Sequence, residues 1–186
     1  MGAIDVGAAA IDRAGANGNN SVFDVGNPAN ATGALSSVEV WLGSNEHLYI
    51  GIFYLVSGSN YTNRSRTDMG TATGGVEHTF SGLNVAITAG DFLATYSNNQ
   101  IQIDTSGGGG VAFVGGDCIY PGTYSCTVHA GYGVSLYGIG ATLGWANIKN
   151  IRMGTGVVLA TDIANIRPGT GSIAVADAGK FDGVPV

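Results

Sequence analysis

The chain has 186 residues, of which 32 are glycine and 11% are charged, and its formal net charge at pH 7 is -6. This length allows one domain with a substantial core and a short appendage, whereas two full domains would be cramped. With only two lysines and no cluster of basic residues, the chain should have no nucleic-acid partner, and the lack of any run of about 18 apolar residues argues against membrane insertion.

The first strands can be read from short apolar runs between turn residues. Residues 1–19 are rich in Ala, Gly and Asn and predict a loosely attached edge strand followed by a loop. Residues 21–25 form the next predicted strand, which ends at a turn rich in Asn, Gly and Pro. In 37–42 apolar and polar side chains alternate, so this strand should be half-buried, with Trp41 on its more polar side.

The stretch 48–56, with the sequence Leu-Tyr-Ile-Gly-Ile-Phe-Tyr-Leu-Val, contains no charge. Because side chains alternate across a strand, both of its faces are apolar. A strand of this kind must be covered on both sides. It is either the middle strand of a sandwich or a strand whose outer face meets another subunit.

Further short strands follow the central one. Residues 61–67 are polar and predict an exposed edge strand that is protected by Arg64 and Arg66. The later predicted strands, separated by Gly, Asn or Asp, are 76–80, 85–88, 92–96, 101–103, 111–114 and 134–137. Regular strand spacing without helical periodicity predicts an all-β fold, an antiparallel β-sandwich of jelly-roll or lectin-like type over residues 1–142.

The pattern changes at about residue 142, where short repeats begin. The run 147–156 is echoed fifteen residues later by 162–171, and a weaker third copy begins at Asp177. A unit this short cannot bury its apolar side alone. Residues 143–186 are therefore predicted to be an assembly tail that packs on its own sandwich or on a neighbouring subunit, through the apolar residues Ile148, Ile151, Ile163, Ile166 and Phe181.

The two cysteines, Cys118 and Cys126, flank a Tyr-Pro-Gly-Thr-Tyr sequence. Pro-Gly between short runs predicts a tight hairpin turn, which would bring the cysteines face to face. We therefore expect a disulfide between them, and an oxidising compartment with it. The alternative is a pair of buried thiols.

The polar residues form no recognisable catalytic or metal-binding motif. His47, His78 and His129 are scattered, and HExxH and GxSxG motifs are absent. We therefore expect no catalytic residues, no cofactor and no resident metal. Asp91 is expected to hydrogen-bond a local turn; Asp104 and Asp117 at loop ends leave calcium binding as an alternative.

Several aromatic residues fall at predicted loop or edge positions, among them Trp41, Tyr120 and Tyr124. Flat apolar ring faces are surfaces on which sugar rings stack, so these three residues are candidates for ligand stacking. Aromatic residues are equally common in sandwich cores and in interfaces. Both interpretations remain open on the sequence.

A resemblance extends over most of the chain. The runs that carry it are Gly-Ile-Phe-Tyr-Leu-Val-Ser-Gly at 51–58, Ala-Gly-Asp-Phe-Leu at 89–93, Ile-Asp-Thr-Ser-Gly-Gly at 103–108, Val-Ser-Leu-Tyr-Gly at 134–138, and the tail segments 162–166 and 180–184. They resemble uncharacterised lectin-like β-sandwich domains of environmental bacterial and phage-associated surface and appendage proteins, which short repeats often follow. The resemblance implies an adhesion, appendage or surface-structure role without catalytic residues.

Sparse charge, an apolar central strand and a repeat tail together predict self-assembly, because dense charge is what usually keeps monomers apart. We expect a non-enzymatic structural subunit that polymerises with copies of itself into an extracellular filament, a helical tube or a virion appendage. The alternative is a carbohydrate-binding adhesion module whose partners are glycans.

Overall fold

The computed structural model describes residues 2–98, 100–142, 150–153 and 156–159. The chain divides into two units, Met1–Leu143 and Gly144–Val186. Neighbouring strands pair in the antiparallel sense throughout. The described residues include no helix with the length and hydrophobicity to cross a membrane.

The first unit contains fourteen strands and the second two. Those of the first are β1 Ala3–Ala8, β2 Gly15–Ala16, β3 Asn20–Asp24, β4 Gly33–Trp41, β5 Glu46–Ser57, β6 Asn60–Ala72, β7 Glu77–Ile87, β8 Phe92–Tyr96, β9 Gln102–Asp104, β10 Val111–Gly115, β11 Gly122–Ser125, β12 Thr127–His129, β13 Gly133–Val134 and β14 Leu136–Thr142. Those of the second are β15 Asn150–Met153 and β16 Gly156–Leu159. The two runs predicted at 76–80 and 85–88 are thus one strand, β7.

Two sheets make up the sandwich. The four-stranded sheet has the order β1-β14-β4-β7, and the seven-stranded sheet has the order β11-β6-β5-β8-β3-β10-β12. A small third sheet, β13-β9-β2, accompanies them. The prediction of an all-β antiparallel sandwich is therefore confirmed.

The main core lies between the two large sheets. Its fully buried residues come from both, with Ile4, Val6, Leu35, Val38, Val40 and Leu136 on one side and Val22, Leu48, Ile50, Ile52 and Leu93 on the other. The expectation that the first strand is loosely attached is wrong. β1 pairs with β14 along its whole length, from Ala3 opposite Ala141 to Ala8 opposite Leu136, because burying Ile4 and Val6 fixes its register.

A second core covers the outer face of the seven-stranded sheet. Phe53 of the central strand β5 points into it, together with Phe23, Tyr61, Phe92, Ala94, Ala112, Ile119 and Cys126. The ring centroids of Phe23 and Phe53 are 5.1 Å apart. Ile119 and Cys126 belong to the segment 117–126, so the outer face of the central strand is covered by the same chain and not by another subunit.

Gly51 shows how closely the segment 117–126 approaches this sheet. A Cβ atom at Gly51 would lie 2.8 Å from Asn63 Oδ1 and 3.1 Å from Ile119 Cγ2. A larger side chain in the middle of β5 would therefore push Ile119 away from the second core. The glycine interrupts an otherwise bulky strand because the Asn63 side chain and Ile119 of the covering segment occupy that space.

Candidate functional site

The open edges of the two large sheets are the first candidate surface, because an unpaired strand edge is a template for another strand. β1 is covered, since the Gly7 amide donates to Asn27 O at 2.9 Å and the Asn30 amide donates to Asp5 O at 3.3 Å. β6 pairs with β11 only over Asn60–Asn63, so it is an edge strand only from residue 64 onward. That part carries charged residues, including both predicted edge arginines.

Among the described residues, β7 is the longest edge of the sandwich with neither a covering segment nor charge along most of its length. From Thr79 to Ile87 it has no charged residue, and no described strand pairs with its outer side. A bulge opposite Leu35 and Ser37, with Gly82 at φ 73°, divides it into straight stretches at 77–81 and 85–87. Val76, just before the strand, is an exposed apolar side chain.

Two carboxylates lie beside the first straight stretch of β7. Glu77 begins the strand, and Glu39 of β4 is the residue opposite Thr79. Burial, and then the nearby charge of Glu77, raises the pKa of the Glu39 carboxyl. Neither residue is part of an ion pair among the described residues, so a basic partner would be stabilised here.

The described part of the second unit is a two-stranded hairpin. β15 pairs with β16 from Asn150 opposite Leu159 to Met153 opposite Gly156. Ile151, one of the five predicted tail contacts, lies opposite Val158 in this hairpin, while Ile148, Ile163, Ile166 and Phe181 lie outside the described residues. A two-stranded sheet is marginally stable in water on its own, so a further strand would stabilise it.

The second candidate surface is a set of stacked side chains that we call the tyrosine–arginine cluster, formed by Tyr49, Arg66, Asp117 and Tyr120. The Arg66 guanidinium carbon lies 3.7 Å from the centroid of the Tyr49 ring and 4.1 Å from that of Tyr120. Arg66 Nη1 donates to both carboxylate oxygens of Asp117, at 3.1 and 2.9 Å. These contacts anchor the covering segment to β6.

Of the three candidates for ligand stacking, Tyr120 and Tyr124 are brought together and Trp41 is not. Tyr120 is exposed in the cluster, and Tyr124 beside it is half-buried against Phe53 of the second core. Trp41 lies on the four-stranded sheet, where its neighbour Val40 points into the main core. Trp41 therefore faces outward on the opposite side of the sandwich.

The predicted disulfide is absent, and the hairpin around it is not formed. Cys118 and Cys126 are free and buried thiols. The strand after the Pro-Gly turn, β11, pairs with Asn60–Asn63 of β6 and not with the residues before the turn. The Cys118 amide donates to Ser21 Oγ at 2.8 Å and the Cys126 amide to Ser59 O at 2.9 Å, so the segment is attached to the sheet through its backbone.

Both thiols should react slowly in the folded protein. Burial, and then the nearby Cys118, raises the pKa of Cys126 to about 11. Because the thiolate is the nucleophile, its fraction at pH 8 is about a hundredfold smaller than for an unshifted thiol. We expect iodoacetamide to label neither cysteine in the native chain and both in denaturant without reductant. Failure to label in denaturant until reductant is added would show a disulfide instead.

The candidate acidic residues are engaged in structural contacts. Asp91 is buried, accepts from the Thr88 amide at 2.9 Å and pairs with Arg64 at 3.3 Å, so the predicted turn role is confirmed. Asp104 pairs with Arg13 at 3.0 Å, and the Ala14 amide and then Arg13 hold the pKa of its carboxyl below the usual value.

The two aspartates considered for calcium do not meet. Asp104 lies in the small third sheet with Arg13, whereas Asp117 pairs with Arg66 of the seven-stranded sheet. The described residues contain no group of three or more His, Cys, Asp or Glu side chains placed to hold a metal ion. Of the histidines, His47 contacts Asp68 at 2.6 Å on the outer face of the β5–β6 pair.

Sequence reasoning missed two features of these surfaces. The partnership of Arg66 with Asp117 spans 51 positions of the chain, and no local pattern signals it. The open edge of β7 could not be predicted from the sequence, because edge position is a property of strand order.

Comparison with protein-family models, with curated proteins and with solved structures finds no match for this chain.

Proposed function

We propose that this chain is a non-enzymatic structural subunit that polymerises, and that the joint is a strand added to the open edge of β7. The observation that carries the proposal is this edge, uncharged from Thr79 to Ile87 and uncovered among the described residues. Strand addition supplies main-chain hydrogen bonds and therefore strength without a specialised pocket. The outer face of the central strand is no longer a candidate joint, because the segment 117–126 covers it.

The distribution of charge favours the C-terminal tail of another copy as the added strand. Residues 1–143 contain three arginines and ten carboxylates, a formal charge of -7, whereas residues 144–186 contain four basic and three acidic residues, a formal charge of +1. The three arginines are all paired, in Arg13–Asp104, Arg64–Asp91 and Arg66–Asp117. Two sandwiches therefore repel each other, while a tail and a sandwich do not.

The geometry of the proposed partners is compatible in length. Each strand of the β15–β16 hairpin has four residues, and the first straight stretch of β7 covers the five positions 77–81. A contact between a tail and a different surface on the next copy is not closed by a two-fold axis, so it propagates. The expected product is a filament or a tube, located outside the cell or on a virion as an appendage.

Deleting residues 143–186 tests this function. The full chain should scatter light increasingly with concentration and show elongated particles in negative stain, whereas residues 1–142 alone should stay monomeric. A chain whose tail has the same composition in scrambled order is the matched control, and it should also stay monomeric. A monomeric full-length chain, or a truncated chain that assembles equally well, would contradict the proposal.

A further inference from the structure

Tyr120 presents an aromatic ring to solvent, while Arg66 contacts its ring and Tyr124 its backbone. The residue is 52% exposed, although its ring also stacks on Arg66, whose guanidinium carbon lies 4.1 Å from the ring centroid. The Tyr124 hydroxyl donates to Tyr120 O at 3.1 Å. Because ring and backbone are already ordered, a ligand that stacks on the ring has little conformational entropy to remove.

Arg66 fixes the geometry beneath the ring. Its guanidinium lies between the rings of Tyr49 and Tyr120, and its Nη1 also donates to Ile119 O at 3.4 Å. Tyr120, Arg66 and Tyr49 thus form a row of stacked side chains. The row continues to His47, whose ring centroid is 5.0 Å from that of Tyr49. The exposed groups at the two ends of this row are Tyr120 and the His47–Asp68 pair.

Charge selects the class of ligand. Arg66 is balanced by Asp117, and Asp68 contributes a further carboxylate, so the row has no uncompensated positive charge to attract an anion. Carboxylate oxygens accept hydrogen bonds and an aromatic face packs against C–H groups. A purely apolar ligand would desolvate the carboxylates without replacing their hydrogen bonds.

We infer that the tyrosine–arginine cluster is a binding site for neutral oligosaccharides, with a pyranose ring stacked on Tyr120 and its hydroxyl groups donating to Asp117. The length of the row toward His47 favours an oligosaccharide over a single sugar. The site lies on the outer face of the β5–β6 pair and not on the β7 edge. Its occupation is therefore independent of polymerisation, and either proposal can fail alone.

Isothermal titration of the full chain with cellohexaose, chitohexaose, mannohexaose and maltohexaose tests the inference. At least one hexasaccharide should bind with a dissociation constant in the micromolar to millimolar range. Tyr120→Ala should weaken that binding at least about tenfold, a loss of about 1.4 kcal/mol, and Tyr120→Phe should retain it because the ring remains.

The matched control is Tyr54→Ala, since Tyr54 also stacks on an arginine, with Arg64 at 4.0 Å from its ring centroid. Tyr54 follows Phe53 in β5 and so points to the opposite face of the sheet. Its loss should leave hexasaccharide binding unchanged. The inference is overturned if no hexasaccharide binds, or if Tyr120→Ala binds as tightly as the unmodified chain; the cluster would then serve only to anchor the covering segment.

Discussion

Thr79→Lys combined with Ser81→Lys should prevent polymerisation while the sandwich stays folded. Both side chains are exposed and lie in the first straight stretch of β7. Lysines on an edge strand block strand addition, because an incoming strand would have to desolvate or displace them. Thr79 lies opposite Glu39, so the new lysine also gains a favourable cross-strand pair. Sedimentation should show at least about a tenfold rise in the concentration needed for assembly.

The control for this variant places the same two charges on interior strands of the same sheet. Ser36 in β4 and Ala141 in β14 are exposed, and each strand already has neighbours on both sides. Ser36→Lys combined with Ala141→Lys should therefore assemble like the unmodified chain. If both double variants lose assembly equally, the reduced negative charge of the sandwich is responsible and the β7 edge is not the joint.

Phe53→Ala should destabilise the sandwich by about 3–5 kcal/mol, the usual loss for a fully buried aromatic residue. The Phe53 side chain is fully buried, and its ring centroid is 5.1 Å from that of Phe23 and 6.2 Å from that of Tyr124. Its removal opens a cavity between the sheet and the segment 117–126. Denaturant unfolding at low protein concentration measures the change, as a lower midpoint at an unchanged slope.

Leu55→Ala is the companion variant, because Leu55 lies in the same strand but is 48% exposed. It should cost less than about 1 kcal/mol, as exposed sites do. A small loss for Phe53→Ala as well would mean that the second core contributes little. The central strand would then still need a cover on its outer face, and another subunit would again be a candidate.

Periodicity predicted much of this fold because burial imposes it. The strand predicted at 92–96 is β8 with the same bounds, because both of its faces are buried and it therefore reads as a continuous, mainly apolar run. The central strand could be recognised because it contains no charged residue. The sequence did not predict which segment covers its outer face. That depends on Ile119 and Cys126 lying against β5 and β6, a long-range contact that no local pattern encodes.

The errors have the same origin. The chain does turn at Pro121-Gly122, but β11 pairs with β6 and not with the residues before the turn. The two cysteines are therefore not placed opposite each other in a hairpin. Among the candidate stacking residues, sequence gave no means of separating Tyr120 from Trp41. Their positions on opposite sides of the sandwich follow from strand order.

Hydrogen–deuterium exchange of the β7 backbone amides, before and after assembly of the full chain, measures the proposed joint directly. In monomers the outward amides of 77–81 are unpaired among the described residues and should exchange rapidly. In the assembled fraction they should become protected, while β12, another open edge, should not change. Assembled material in which the β7 amides exchange as fast as in monomers would contradict strand addition at this edge, and so would a full chain that yields no assembled fraction.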